Sequence, residues 1–221
     1  MMKKGFFEGE DFRDGEFRSL IPKYYPPKYR KYVEEEVELL KSRIPCNSRI
    51  LEAGVGIGRL VPELAPLVEE FIGIDNSDFM IKKSKEGGEN FSNVKIIKSD
   101  IENVDRLFPE KYFDYSLCLW NTLGNVEDEI LALKKLSKVT KKSIFVTVYK
   151  KGTLKDRKDF YKTVGIKIKR IDEKNEIFYS KSGLRSRSYS LNGIGEIAKS
   201  SNLRIKGSRI LGEVMFFAEF V

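Results

Sequence analysis

Ile50-Leu51-Glu52-Ala53-Gly54-Val55-Gly56-Ile57-Gly58-Arg59 is the stretch on which the fold of this chain turns. Ile50 and Leu51 read as part of a short buried strand, with the acidic Glu52 at its end. Gly54, Gly56 and Gly58 follow on alternate positions. Glycine there lets the backbone turn tightly and approach a ligand closely before a helix opens. A dinucleotide fingerprint, G-x-G-x-x-G, would need its last glycine at position 59, where this chain has Arg59. With no pyrophosphate to cradle, an acid beside the loop suits a ligand carrying an ammonium group.

Outward from this loop, strands and helices alternate. Phe71-Ile72-Gly73-Ile74 reads as a second buried strand ending at Asp75. Asn76 or Ser77 caps the next helix, which runs to Gly87-Gly88. Val94 to Ile97 is a third strand ending before Asp100, and Phe113 to Leu119 a fourth. Asp128 to Val139 reads as a helix and Ile144 to Tyr149 as a fifth strand. This rhythm predicts βαβ units and a parallel sheet. Gly58 to Leu67 reads as a helix interrupted by Pro62 and Pro66. Upstream, Tyr29 to Ile44 has the helical period, with Tyr32, Val33, Val37, Leu40 and Ile44 on one stripe before Pro45 stops it. Residues 1–28, punctuated by Gly and Pro, read as an irregular arm that folds over the site as a lid or packs as a terminus. Phe12 and Phe17 within it read as packing residues.

After Tyr149 the pattern changes. Leu154 to Thr163 is helical, Ile166 to Ile171 alternates with period two, and Ile177 to Tyr179 and Arg187 to Tyr189 read as further strands. A helix over Asn192 to Ser200 and two strands, Leu203–Ile210 and Val214–Phe220, close the chain. Residues 150–190 therefore stand out as a β-rich insertion after the fifth strand. They are also basic. Residues 150–187 hold 13 Lys and Arg against five Asp and Glu, whereas residues 1–149 hold 24 against 25. The formal charge of +8 over 221 residues is thus a property of one segment, which can face an anionic substrate, a nucleic acid or water.

Composition removes several classes. The chain has two Cys and no His, which excludes a disulfide framework, the usual zinc sites and Ser-His or Cys-His catalysis; no metal site is expected. No run of 18 apolar residues offers a membrane span, and acidic residues interrupt any signal-like start, so a reducing, cytoplasmic location is the expectation.

Glu52, Asp75 and Asp100 close three successive strands, which puts all three on the carboxyl edge of a parallel sheet, where ligands of open α/β folds bind. Asp75 can accept both hydroxyls of a ribose, and Asp100 or its backbone can read an adenine amino group. Singly, each acid also reads as a cap or a solvated loop residue.

The segments Glu52–Gly58, Phe71–Ser77, Lys98–Ile101 and Phe113–Trp120 together resemble the class I S-adenosylmethionine-dependent methyltransferases. The resemblance implies a Rossmann-like, seven-stranded, mostly parallel α/β sheet with an antiparallel last strand. It makes 29–221 the methyltransferase domain, with 150–190 as its substrate-covering insertion, and S-adenosyl-L-methionine the cofactor. It further implies that Glu52, Gly54, Gly56 and Gly58 wrap the methionine part, and that Asp75, Asn76 and Met80 lie at the adenosine. Asp100 and Ile101 would bracket the adenine, and Leu119 and Trp120 would face the methionine end.

The turn Trp120-Asn121-Thr122-Leu123-Gly124-Asn125 lacks the Asn/Asp-Pro-Pro-aromatic motif of enzymes acting on base amines. It is more similar to the small-molecule N- and O-methyltransferases related to the glycine and sarcosine enzymes. Asn121, Arg187 and Tyr189 are candidates for positioning the acceptor. Arg157 and Tyr161, four apart on one helix face, join Arg187 and Tyr189 as candidates for holding an anionic substrate. Each also reads as a capping, exposed or packing residue. The leading expectation is a methyltransferase for a small anionic or zwitterionic molecule, acting as a monomer or homodimer with no membrane partner. An RNA or protein methyltransferase docking through 150–187 is the alternative, and a non-catalytic cofactor-binding protein the third.

Overall fold

The structure, a computed structural model, describes residues 21–221. Most of the arm, including Phe12 and Phe17, lies outside the described residues. A single turn of 3-10 helix, Pro22–Tyr24, leads into α1, Pro27–Arg43, with Pro26-Pro27 at its start in place of a capping side chain. Alternation then follows as β1 (Arg49–Ala53), α2 (Val61–Leu64), β2 (Glu70–Asp75), α3 (Asp78–Gly88), β3 (Val94–Lys98), α4 (Val104–Leu107) and β4 (Phe113–Cys118). It continues as α5 (Thr122–Asn125), α6 (Glu129–Val139) and β5 (Thr140–Tyr149). The insertion is α7 (Leu154–Val164) with β6 (Ile168–Asp172), β7 (Ile177–Ser180) and β8 (Arg185–Arg187). Helix α8 (Leu191–Ser200) and strands β9 (Ile205–Leu211) and β10 (Met215–Phe220) complete the chain.

Seven strands form one sheet in the order β3-β2-β1-β4-β5-β10-β9. The first five run parallel, and β10 is antiparallel to both β5 and β9. The expected antiparallel last strand is therefore present. Strands β1, β2 and β4 are buried on both faces, which is why they read as continuous apolar runs. The sheet divides the core: α1 and α7 contribute Tyr29, Leu40 and Phe160 to one side, and α6 and α8 contribute Leu133, Leu136 and Ile194 to the other. Side-chain caps fix where helices begin. Ser77 Oγ accepts from Met80 N, Asp128 Oδ1 from Leu131 N and Ser190 Oγ from Gly193 N.

Two expected elements differ. The helix expected over Gly58–Leu67 is reduced to α2 and a 3-10 turn at Ala65–Leu67, because Pro62 fits only a first turn and Pro66 has no N–H to continue it. The strand expected at Arg187–Tyr189 is instead Arg185–Arg187. Beyond it the chain leaves the small sheet: Tyr189 N donates to Tyr149 O at 2.8 Å, and Tyr189 forms an isolated bridge with Lys150 at the end of β5. Strands β6, β7 and β8 make a separate antiparallel sheet of three strands. Lys155, Lys162, Lys167, Lys169 and Lys174 of this insertion are exposed. Among the described residues no helix is long and apolar enough to cross a membrane.

Candidate functional site

The loop after β1 is held by the neighbouring strand. Gly54 N and Val55 N donate to Ile74 O at 2.8 and 2.9 Å, and Gly56 N donates to Asp75 Oδ2 at 3.0 Å. Gly54 sits at φ +78°, and a Cβ there would stand 2.6 Å from Thr122 Oγ1. Gly56, at φ +56°, faces open space instead, with nothing within 4 Å of where a Cβ would be. One glycine is thus required by packing inside the protein and the other leaves a cradle on the outer side of the loop.

The three acids come together on one edge of the sheet. Asp75 is buried, and its Oδ1 accepts from Ser77 N at 3.0 Å. Burial pushes its pKa up, opposed by the N–H groups of Ser77, Gly56 and Asn76. Asn76 Nδ2 donates to Asp100 Oδ1 at 2.8 Å, linking the ends of β2 and β3. Ile101 opens a 3-10 turn just beyond, half-buried. Met80 is buried on the first turn of α3, and Leu119 is buried at the end of β4. Glu52 is buried and its Oε2 has no hydrogen-bond partner. Desolvation lifts its pKa to about 8, with Arg59 opposing and Glu36 and Asp75 adding to the rise.

This donor set fits S-adenosylmethionine. An orphaned buried carboxylate suits its ammonium, the open side of Gly56 leaves room for the chain, and Asp75 retains acceptor capacity for a ribose. Cys118, the last residue of β4, is buried, its thiol pushed up to about 12 by desolvation, and is inert there.

Trp120 and Asn121 are consecutive non-glycine residues in the left-handed region, at φ +50° and +62°. Such backbone persists only where its surroundings hold it. Here Trp120 N donates to Thr147 Oγ1 at 2.8 Å and Asn121 N to Thr147 O at 2.9 Å. The indole is half-buried among rings: Tyr25 stacks on it at 5.0 Å, Tyr32 lies at 4.9 Å, and Phe160 and Tyr29 meet it edge-on at 6.0 and 6.4 Å. The Arg59 guanidinium lies 5.8 Å from the same ring.

The remaining predicted residues fall into two clusters. Asn121 Nδ2 donates to Ser186 Oγ at 3.0 Å while its Oδ1 accepts from Tyr149 N at 3.1 Å. Arg157 is fully buried, its Nη1 on Glu176 O at 2.8 Å and its Nη2 on Ser186 O at 2.7 Å. Tyr161 OH donates to Ser186 Oγ at 2.9 Å. Asn121, Arg157 and Tyr161 therefore converge on Ser186, and Arg157 and Tyr161 fasten β7 and β8 to α7 from inside. The second cluster surrounds Glu129. Arg187 Nη1 lies 3.3 Å and Arg185 Nη2 3.6 Å from its Oε1, and Tyr189 OH donates to the same oxygen at 3.0 Å. Arg185 and Arg187 stand on alternate positions of β8 as expected, and Tyr189, beyond the end of that strand, reaches the same carboxylate, which already occupies the centre of the cluster.

Sequence reasoning missed Glu129 and Ser186, and also a buried network under Trp120. Glu36 of α1 is fully buried, bonded to Tyr32 OH, to Thr147 Oγ1 at 2.9 Å and to Arg59 Nη2. Its signal was phase: Glu36 stands four residues after Tyr32 and four before Leu40, inside the apolar stripe.

The sequence model of the methyltransferase domain family matches residues 46–186. Phosphoethanolamine N-methyltransferase 3 of Arabidopsis thaliana is 33% identical over 106 residues, which are 47% of this chain and 22% of that protein. Demethylmenaquinone methyltransferase of Staphylococcus carnosus is 35% identical over 72 residues, 33% of this chain and 29% of that one. The chain aligns to less than a third of either relative's length. Among solved structures, a SAM dependent methyltransferase from Aquifex aeolicus superposes with a TM-score of 0.65 at 18% identity, covering 92% of this chain and 97% of that one. Magnesium protoporphyrin IX methyltransferase from Synechocystis, solved with bound SAH, gives 0.71 at 15% identity, covering 99% and 97%. These two share the fold.

Proposed function

The chain belongs to the methyltransferase domain family, and from that premise we propose that it uses S-adenosylmethionine to methylate a small anionic or zwitterionic molecule at nitrogen or oxygen. The cofactor supplies, when bound, a methyl group already activated on a sulfonium. What the protein must add is alignment of an acceptor and exclusion of water. Glu52 and the glycine loop would hold the methionine end, and Asp75, Asn76 and Asp100 the adenosine end. Trp120, propped on its left-handed turn, would stand beside the methyl.

The observation that carries the small-acceptor reading is the closure over Trp120. Tyr25, Tyr29 and Tyr32 from the α1 side and Phe160 from α7 surround the indole, and Asn121 ties the insertion to the same turn through Ser186. A wall built of side chains from both ends of the domain suits an engulfed molecule better than a polymer lying across a surface. Arg185 and Arg187 share the single carboxylate of Glu129, which leaves one positive charge in excess beside the turn and favours an anionic group on the acceptor. The Arabidopsis relative is named for phosphoethanolamine, a molecule of this zwitterionic class.

The test is a methyl-transfer screen with labelled cofactor against a panel of amino and hydroxy acids, phosphorylated amines, total RNA and total protein. Label in a small zwitterion or anion supports the reading. Label confined to RNA, lost steeply with added salt, refutes it and favours docking through 150–187.

A further inference from the structure

Four basic residues that stand far apart in the sequence, Arg43, Lys142, Arg204 and Lys206, line one cavity of about 560 Å³. It lies between the last turn of α1, the start of β5, the start of β9 and the end of β10. Ser143, in its wall, stands six residues before Tyr149, where β5 ends beside the Trp120 turn. At about 3.3 Å per residue the cavity is therefore roughly 20 Å from that turn, at the amino edge of the parallel strands. None of the four cations belongs to the basic insertion.

Their arrangement is fixed from beneath. Glu219 is buried, and its Oε1 accepts from Ser143 Oγ at 2.8 Å and from Lys206 Nζ at 2.9 Å, while Arg43 Nη1 lies 3.4 Å from its Oε2. Burial alone would raise the Glu219 pKa; Lys206, Ser143 and Arg43 outweigh it and hold the carboxyl below its usual value. It is thus ionised at neutral pH and keeps both cations over the cavity. Lys142 Nζ is 3.2 Å from Asp114 Oδ1 and 5.4 Å from the centroid of the Tyr115 ring, which stacks on Phe145. Arg204 is exposed and, among the described residues, enters no ion pair.

The two carboxylates do not neutralise this cluster. Four cations meet Glu219 and Asp114, and with the α-carboxylate of Val221 counted the balance is still positive. Arg43 gives one of its five N–H donors to Glu219, and Lys206 one of its three. A solvated surface spreads its lysines apart, whereas here a buried acid gathers two cations over one concavity, where their fields add.

We propose that this cavity is a second ligand site, for a small phosphorylated molecule, with Arg43, Lys142, Arg204 and Lys206 supplying donors to a phosphate dianion. Its volume is within the range of small-molecule sites and exceeds what phosphate alone fills, so an organic phosphate ester fits it better than inorganic phosphate. The site does not depend on the cofactor reading, since it lies at the opposite edge of the sheet from the glycine loop. Two elements join the two edges. Helix α1 carries both Arg43 and the Tyr32 that packs on Trp120, and β5 carries both Ser143 and the Thr147 that holds the Trp120 backbone.

Isothermal calorimetry on the full chain tests this with glycerol 3-phosphate, inorganic phosphate and chloride as probes. Constant ionic strength keeps general screening of a +8 chain out of the comparison. Glycerol 3-phosphate should bind the wild type with a Kd below about 1 mM, and the double variant Lys142→Gln/Arg204→Gln should bind it about 10-fold or more weakly, as for lost hydrogen bonds to a charged group. Both side chains are exposed and neither supports Glu219, so the variant keeps its fold. Lys155→Gln/Lys162→Gln, on the exposed face of the insertion, should leave the affinity unchanged. Weaker binding of inorganic phosphate than of the ester assigns the site to an organic phosphate, and equal binding assigns it to free phosphate; either supports a dianion site. A wild type that binds neither, or that responds equally to chloride, would overturn the proposal. So would unchanged affinity in Lys142→Gln/Arg204→Gln, or a loss confined to the insertion variant. Binding of a short RNA through Lys142 and Arg204, with none of glycerol 3-phosphate, would make the cluster a polyanion-docking surface and overturn it as well.

Discussion

Glu52→Gln should stabilise the protein at neutral pH while damaging the proposed cofactor site. In the fold, burial raises the Glu52 pKa from 4.5 to about 8. The carboxyl is therefore favoured in its protonated form. Its contribution to stability is complete below the unfolded value of 4.5 and is lost as pH rises through 8. At about 1.4 kcal/mol per pH unit between those values, the wild type should lose roughly 3 kcal/mol between pH 5.5 and 7.5 that a neutral amide keeps. For a chain of this size that corresponds to roughly 6–12 °C in Tm. No imidazole titrates in the window, because the chain contains no His, and Asp75, whose pKa burial also raises, is common to both proteins, so the comparison isolates Glu52. Thermal or urea unfolding of both proteins across pH 5.5–7.5, without ligand, reads the difference directly. Parallel profiles would show that Glu52 is not an isolated buried acid and would remove the basis for treating it as the ammonium's partner. A companion measurement follows from the same linkage. At pH 6.5, binding of S-adenosylhomocysteine to the wild type should release close to one proton, visible as a dependence of calorimetric heat on buffer ionisation enthalpy, and binding to Glu52→Gln should not.

Other expectations concern individual contacts. Asp75→Ala removes the acceptor proposed for the ribose and the tie to Gly56 N; S-adenosylhomocysteine affinity should fall by about 100-fold or more, and unchanged calorimetry would move the ribose site elsewhere. Arg157→Leu strips donors from the carbonyls of Glu176 and Ser186 and should cost about 3 kcal/mol in urea unfolding; a loss below about 0.5 kcal/mol would mean the small sheet does not depend on it. Gly124→Ala would place a methyl 2.7 Å from Arg187 O and 2.5 Å from the Asn121 amide, and should cost about 1–3 kcal/mol with a lowered Tm, since these neighbours are backbone and a buried side chain. In the native protein, Cys46 is exposed and Cys118 buried, so a thiol reagent should titrate one cysteine rapidly and the second only on unfolding.

Much of the cofactor edge was legible because it rests on short-range rules. Three glycines, an acid two positions before the first of them, and acids closing two further strands are consecutive statements about the backbone of βαβ units, and the parallel direction of β1 to β5 follows from their alternation, whereas their order β3-β2-β1-β4-β5 is set by the tertiary structure. The insertion was legible as a change of period but not in its wiring. The sequence leaves Arg157 and Tyr161 open between holding an anion and packing, since helical phase alone does not say whether the shared face meets solvent or the underside of a sheet. The pairing of β7 with β8 decided it, carrying Glu176 and Ser186 over the guanidinium.

What the sequence by itself determined is the carboxyl edge that carries Glu52, Asp75 and Asp100, since each sits at a strand end that its own neighbours specify. What only the tertiary structure decided is which charges remain unpaired there. Glu36 lies 23 residues from Arg59 along the chain and Thr147 lies 111 from Glu36, and no local pattern announces that they meet. Burial and pairing are properties of the closed core, where a charge keeps a free valence only if every neighbouring element leaves it one. That is why Arg59 reads in the sequence as a missing glycine and in the fold as a fixed cation beside the glycine loop, its Nη1 without a hydrogen-bond partner.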